Sequence, residues 1–304
     1  MSTVLQSAVA LMHGSVARVF HDEELRALVD QFIEYKQTEG GIFKKIASLH
    51  CTMFGGDDEL AAAAAAAVEL MILSLDIYDD LQDQDNDQVP WSAMSPALAL
   101  NAAIGLQALS IDLLMELPIA ADRKIAAVNI LNKGILGAVN GQHADLMNDA
   151  TTEDECLLMI ENKSGALVAA ACLVGTALVT DEHHELIGQY GRAMGVSAQI
   201  YNDVEGIQRW STRNDLIARK QTLPVQFVLE QQTEEAAAVR SYYDGNLSRD
   251  ELLMNKNAIM DYIQSCGCIE YALIIGRLKQ YEAMNAIDEL PVEEQWREQL
   301  RAFL

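Results

Sequence analysis

The run Asp76-Ile77-Tyr78-Asp79-Asp80-Leu81-Gln82-Asp83-Gln84-Asp85-Asn86-Asp87 closes a stretch, Glu59 to Leu75, made mostly of Ala, Leu, Met and Ile. The alanines from 61 to 67 maximise helix propensity and leave little side chain, so a neighbouring helix can approach closely. On such a helix Asp79 and Asp83 are i,i+4 neighbours and Asp80 and Asp83 are i,i+3 neighbours, which crowds the carboxylates onto one face. Like charges at that spacing destabilise a helix, and the macrodipole repels anions at its C-terminal end. A bound cation resolves the conflict. Carboxylate oxygens without imidazole or thiolate favour a hard ion, and Mg²⁺ takes a few carboxylates plus phosphate oxygens. The plainer alternatives are a solvated acidic helix end or a loose Ca²⁺ loop.

Outward from this centre the pattern is helical. Residues 4–36 read as one or two amphipathic helices, with His21-Asp22-Glu23-Glu24 as an N-terminal start. Gly40-Gly41 breaks the pattern before Ile42 to Phe54, and Gly55-Gly56-Asp57-Asp58 caps the acidic helix. Gln88-Val89-Pro90-Trp91 and Ser95-Pro96 mark a loop or helix starts. Helical patterns then cover 97–116, 122–149, 153–179, 183–210, 223–243, 249–265 and 268–284. No window alternates with period two, no Ser/Gly/Pro linker divides the chain, and no repeat of 20–50 residues is visible. The expectation is an all-α fold, one domain over 1–304, built as a large helical bundle.

With half its residues hydrophobic and only five prolines, the chain can bury a sizeable core. A formal net charge of -24 argues against charge-driven binding of nucleic acid or an anionic membrane, and an anionic substrate would need locally imported cations. Met1 to Phe20 lacks the basic start and apolar block of a signal peptide, and Ser164 to Val179 is short for a membrane span and better suited to a buried helix. Five scattered cysteines suit no disulfide framework, so a reduced, cytoplasmic protein is expected.

Three further stretches carry chemistry. In Gly141-Gln142-His143-Ala144-Asp145-Leu146, Gln142 and Asp145 share a helical face, as a site pair or as a capped core network. Lys163, opening Lys163-Ser164-Gly165-Ala166-Leu167, is either a solvated helix-start charge or an ammonium for a phosphate. Gln199-Ile200-Tyr201-Asn202-Asp203-Val204-Glu205-Gly206 is a polar insertion in an apolar helix, with Asp203 one turn beyond Gln199. The loop Asp215 to Pro224 contributes Lys220. Two facing acidic segments with lysines beside them make a metal–diphosphate clamp.

In these motifs the chain resembles the trans-isoprenyl diphosphate synthase superfamily, all-helical enzymes that ionise an allylic diphosphate with Mg²⁺ held by two Asp-rich motifs. Asp79-Asp80-Leu81-Gln82-Asp83 resembles its DDxxD, Gly141-Gln142 with Asp145 its GQxxDL, and Lys163 the lysine of KTGAL. Lys220 with Thr222-Leu223-Pro224 resembles the lysine loop ending in TLP, and 199–206 falls where the family has QxxDDxxD. The resemblance implies an isoprenoid synthase fold, an antiparallel bundle around a central prenyl-diphosphate cavity. It also implies two or three Mg²⁺ ions on Asp79, Asp80, Asp83, Asp203 and Asn202, and a homodimer.

The departures are as informative as the matches. Asn202 and Gly206 replace aspartates of the second motif, which implies a weaker second cluster. The family holds its isopentenyl diphosphate acceptor with a GGKRxRP run and a His or Gln seven residues before DDxxD. Here Gly40-Gly41 is followed by Ile42, Phe43, Lys44, Lys45 and Ile46, with Lys45 where the run's last Arg falls, and Ile72 stands at the other position. Each lost charge-assisted contact costs about 1.5–3 kcal/mol, so the donor half of the site persists and the acceptor half does not.

The stretch 69–86, together with 141–145 and Thr152-Glu153-Asp154-Glu155, is similar to the ComQ-type branch, whose members attach geranyl or farnesyl groups to a tryptophan of a quorum-sensing precursor peptide. A neutral indole needs no diphosphate pocket. The similarity implies that Asp79, Asp80, Lys163 and Lys220 drive ionisation of the donor. It further implies that Lys45, Gln142, Asp145 and Gln199 contact substrate while Ser74 and Leu75 line the prenyl pocket. A chain-elongating synthase, a terpene cyclase using Asn202, Asp203 and Gly206, and a non-catalytic partner subunit are the rival readings.

Overall fold

The computed structural model describes residues 2–84, 86–210 and 214–304; Asp85, within the acidic run, lies outside them. The elements are α1 (Ser2–Val19), α2 (Glu23–Gln37), α3 (Ile42–Met53), α4 (Asp58–Asp83), α5 (Pro96–Met115), α6 (Ala121–Met147), α7 (Glu153–Ile160) and α8 (Ala166–Ala177). There follow α9 (His184–Gln208), α10 (Leu223–Glu230), α11 (Glu234–Tyr243), α12 (Arg249–Met254), α13 (Lys256–Ser265), α14 (Cys268–Glu289) and α15 (Glu294–Arg301). No strand occurs among the described residues. The fold is the all-α helical bundle that the sequence pattern implies.

Local signals set many boundaries. Asp22 accepts a hydrogen bond from Leu25 N at 2.9 Å and Asp57 from Leu60 N at 2.8 Å, each satisfying an orphan amide of α2 or α4. Gly40 and Gly41 both have positive φ, so the reversal between α2 and α3 needs residues without a Cβ penalty. Three segments depart from expectation. The helix read over 223–243 breaks at Gln231, where Thr233 caps α11. The one read over 249–265 breaks at Asn255. The 153–179 helix contains a turn of π-helix, Glu161–Gly165, between α7 and α8.

The Ala-rich α4 is the central strut, packed on α1, α3, α5 and α8, and its alanines are buried. By length and composition α4, α5 and the run Glu153–Ala177 are apolar enough to cross a membrane, but most of the apolar window of α4 lies inside the bundle. The segment read as a buried helix is one: Ala169 to Cys172 and Val174 to Ala177 of α8 are buried. The five cysteines are unpaired. The apolar core has two parts, one around α1–α6 and α8, the other around α7 and α10–α14. Helix α9 contributes to both, and its polar residues Gln199, Asn202 and Asp203 face the space where they meet.

Candidate active site

Two adjoining cavities occupy that space. The larger, about 560 Å³, is lined by Leu75, Asp76, Tyr78, Asp79 and Gln82 of α4, by Gln142 of α6, and by apolar residues of α6, α8 and α9. Ile42, Phe43 and Ile46 of α3 and Phe303 also line it. The smaller, about 360 Å³, is polar and is lined by Asp145, Asn202, Asp203, Gly206, Asp215 and Lys220. Lys163, Gln199 and Asn202 line both.

The lysines knit the acidic segments together. Lys163 Nζ lies 2.6 Å from Asp145 Oδ2 and 3.2 Å from Asp79 Oδ1, and Lys220 Nζ lies 2.9 Å from Asp83 Oδ2. Gln142 Nε2 donates to Asp83 Oδ1 at 3.1 Å, and Gln199 Nε2 to Asp203 Oδ1 at 2.8 Å. Ser164 Oγ donates to Gln199 Oε1 at 2.8 Å. Lys163 and Ser164 sit on the π turn, a widened turn found frequently at functional sites. Gly141 lets it come close, because a Cβ there would lie 2.3 Å from Lys163 N.

Burial dominates the electrostatics. It pushes the Asp203 carboxyl up to about 7, against the opposing hydrogen bond from Gln199. It also raises Asp79, with Lys163 pulling back and Asp83 adding repulsion. Burial works against the charge on Lys163, yet Asp79 and Asp145 hold its pKa above the usual lysine value. Desolvated carboxylates held this close favour whatever adds positive charge.

Among the described residues, no three acidic, histidine or cysteine side chains converge to hold a metal unaided. The donor set nevertheless suits Mg²⁺, which shares its coordination between carboxylates and substrate phosphates. Every donor is oxygen, and the buried Gln142 Oε1 beside Asp83 lacks a hydrogen-bond partner among the described residues. Asp79, Asp80 and Asp83 on one side and Asp203 with Asn202 on the other are the groups that would hold the ions.

Two expected substrate contacts are not made. Ser74 is fully buried, its hydroxyl donates to Met71 O at 2.6 Å, and it is absent from the cavity wall that Leu75 joins. On α3 the cavity stripe is Ile42, Phe43 and Ile46, and Lys45 falls on its flank outside the lining. Lys44 is buried, hydrogen-bonded to Gln37 and paired with Glu69 at 3.5 Å. Ile72 is packed in the core.

The structure gives two further residues of this region, Asp76 and Trp91, definite roles at the site. Asp76 lines the larger cavity and pairs with Lys36 at 2.5 Å; burial raises its carboxyl to about 6 despite that lysine. Trp91 Nε1 donates to Asp80 Oδ2 at 2.8 Å while its ring packs edge-on against Phe32 and Tyr35. The only signal for Asp76 was its place one turn before the acidic pair. For Trp91 it was an indole shortly after the acidic run.

A family model described as polyprenyl synthetase matches residues 26–260. The chain is 28% identical over 298 residues, 96% of its own length and of the relative's, to tryptophan prenyltransferase ComQ of Bacillus subtilis strain 168. Among solved structures it is similar to a polyprenyl synthetase of Streptomyces coelicolor A3(2), with TM-score 0.79, 24% identity and coverage of 99% and 98% of the two chains. It is also similar to a polyprenyl synthase of Caulobacter crescentus CB15 complexed with calcium and isoprenyl diphosphate, with TM-score 0.84, 19% identity and coverage of 99% and 93%.

Proposed function

Because the chain belongs to the polyprenyl synthetase family and is a prenyltransferase, we propose that it transfers a geranyl or farnesyl group from its diphosphate to a tryptophan of a quorum-sensing precursor peptide. One observation carries this reading. Donor-side lysines and carboxylates are assembled, while Ile42, Phe43 and Phe303 line the cavity where a second diphosphate would need cations. An indole is neutral and apolar enough for such a wall. The likeness to a tryptophan prenyltransferase supports the same acceptor.

In this reading Lys163 and Lys220 hold the donor diphosphate beside the two acidic segments and take charge as it leaves. Mg²⁺, the proposed cofactor, supplies the remaining neutralisation when bound, as the calcium and isoprenyl diphosphate of the Caulobacter structure suggest by analogy. The C1–O bond breaks, its electron pair departs with the diphosphate, and C3 of the indole bonds to C1. The positive charge passes to the indole nitrogen, whose proton is lost to solvent. Leu75, Leu167, Val168 and Met194 shield the allylic cation from water. Leu98 and Ile104 of α5 and Leu136 and Val139 of α6 are all more than half exposed, a face suited to burial in a homodimer. A sedimentation mass equal to a single 33.4 kDa chain would reject that assembly.

The test is product analysis with purified protein, Mg²⁺ and geranyl or farnesyl diphosphate. One reaction receives isopentenyl diphosphate, the other a Trp-containing peptide. The expected result is a peptide heavier by one prenyl group and no longer prenyl chain. A lengthened diphosphate with untouched peptide would make the protein an elongating synthase.

A further inference from the structure

The second acidic motif ends at Gly206, and the structure places another carboxylate where its side chain would be. An ideal Cβ on Gly206 would lie 2.1 Å from Asp215 Oδ2, 2.7 Å from Cγ and 2.9 Å from Oδ1. Both residues line the smaller cavity with Asp203, Asn202 and Lys220. A side chain at 206 would have to displace the Asp215 carboxylate from this position.

The loop is built to hold Asp215 there. Asn214, fully buried, donates from Nδ2 to the carbonyls of Gly206 at 3.2 Å and Ile207 at 2.8 Å. It thereby satisfies carbonyls in the last turn of α9 that have no helical partner. Its Oδ1 accepts from Ile217 N at 3.1 Å, closing a turn that directs residue 215 along α9. Tyr242 donates to Ile217 O at 2.6 Å and Tyr243 to Lys220 O at 2.9 Å, and Lys220 N donates to Asp215 O at 2.9 Å. Asp215 and Lys220 therefore reach the cavity as one anchored unit.

We propose that Asp215 supplies the third carboxylate of the second acidic cluster, in place of the side chain that position 206 lacks. The cluster is then assembled from Asp203 on α9 and Asp215 on the following loop, with Asn214 as the positioning residue. The inference rests on the donor-diphosphate reading of the site and adds to it a ligand the motif pattern does not contain.

The test is calorimetric binding of farnesyl thiodiphosphate, a donor analogue that resists ionisation, at increasing Mg²⁺. Asp215→Asn keeps the shape of the loop residue, and its Mg²⁺ requirement for half-maximal binding should rise roughly 10- to 100-fold, the range for groups that tune a metal site. Gly206→Asp alone should lower the Tm by clash and repulsion. Gly206→Asp combined with Asp215→Ala should bring the Mg²⁺ requirement back toward wild type. An unchanged requirement in Asp215→Asn, or a double variant no better than Asp215→Ala, overturns the inference and leaves the donor reading standing. Wild-type protein that binds the analogue without regard to Mg²⁺ overturns both.

Discussion

Replacing Gly141 by Ala tests whether the packing of α6 against the π turn sets the reactive geometry. The new Cβ would lie 2.3 Å from Lys163 N, 2.6 Å from its Cα and 2.7 Å from its Cβ, where ordinary contact begins near 3.4 Å. The nearest of these atoms is backbone and cannot rotate away, so the two segments must part by about 1 Å. Gly134 offers the control: about two turns back on α6, its Cβ would meet Ala170 Cβ at 2.6 Å, away from the lysine. Over-packing of this kind costs about 1–3 kcal/mol, so both variants should lose a few degrees of Tm. Only the first displaces the ammonium now 2.6 Å from Asp145 and 3.2 Å from Asp79. A misplacement of about 1 Å costs on the order of 10²-fold in rate, so kcat/KM should fall about 100-fold in Gly141→Ala and less than about threefold in Gly134→Ala. The assay is mass-spectrometric product formation beside scanning calorimetry of the same preparations. Activity lost in step with Tm in both variants, or retained in Gly141→Ala, would refute the reasoning.

Leu75→Phe should narrow the cavity and favour geranyl over farnesyl donor, whereas Ser74→Phe should lower Tm by over-packing the core, at about 1–3 kcal/mol, without that preference. Competition between the two donors decides it, and equal donor shifts in both variants would contradict the cavity wall. Asp203 has its carboxyl raised from 3.8 to about 7, so between those values the folded chain holds a proton the unfolded chain has released. Ionising it costs stability that grows as pH rises through that window and is constant above it. In EDTA, Asp203→Asn should therefore melt higher than wild type at pH 8, with the gap narrowing as pH falls below 7 and closing near pH 4; a gap independent of pH would refute this. Trp91→Phe keeps the ring contacts but removes the donor to Asp80, and a charge-assisted bond of about 1.5–3 kcal/mol should appear as a tenfold or larger loss of kcat/KM. Unchanged kinetics would show that Asp80 is held in place by other groups.

The sequence by itself determined what neighbouring residues decide. The alanine run dictated a closely packed central helix, and the carboxylates at 79, 80 and 83 shared a face by period alone. Asp22 and Asp57 announced helix starts because a cap bonds within its own first turn. Thr233 carried the same signal and was missed, because the apolar periodicity of 223–243 ran across it. Only the tertiary structure decided which groups meet across the chain. Lys36 reaches Asp76, Lys163 reaches Asp79, Lys220 reaches Asp83, and Asp215 fills the space above Gly206, although each pair is far apart in sequence or on separate elements. It also decided that Lys44 is spent on Glu69 and that Ser74 turns from the cavity while Leu75 faces it. Propensity, period and capping act over a few residues and are written locally. The depth of a cavity and the partner of a buried charge follow from how helices pack, which no short window of sequence contains.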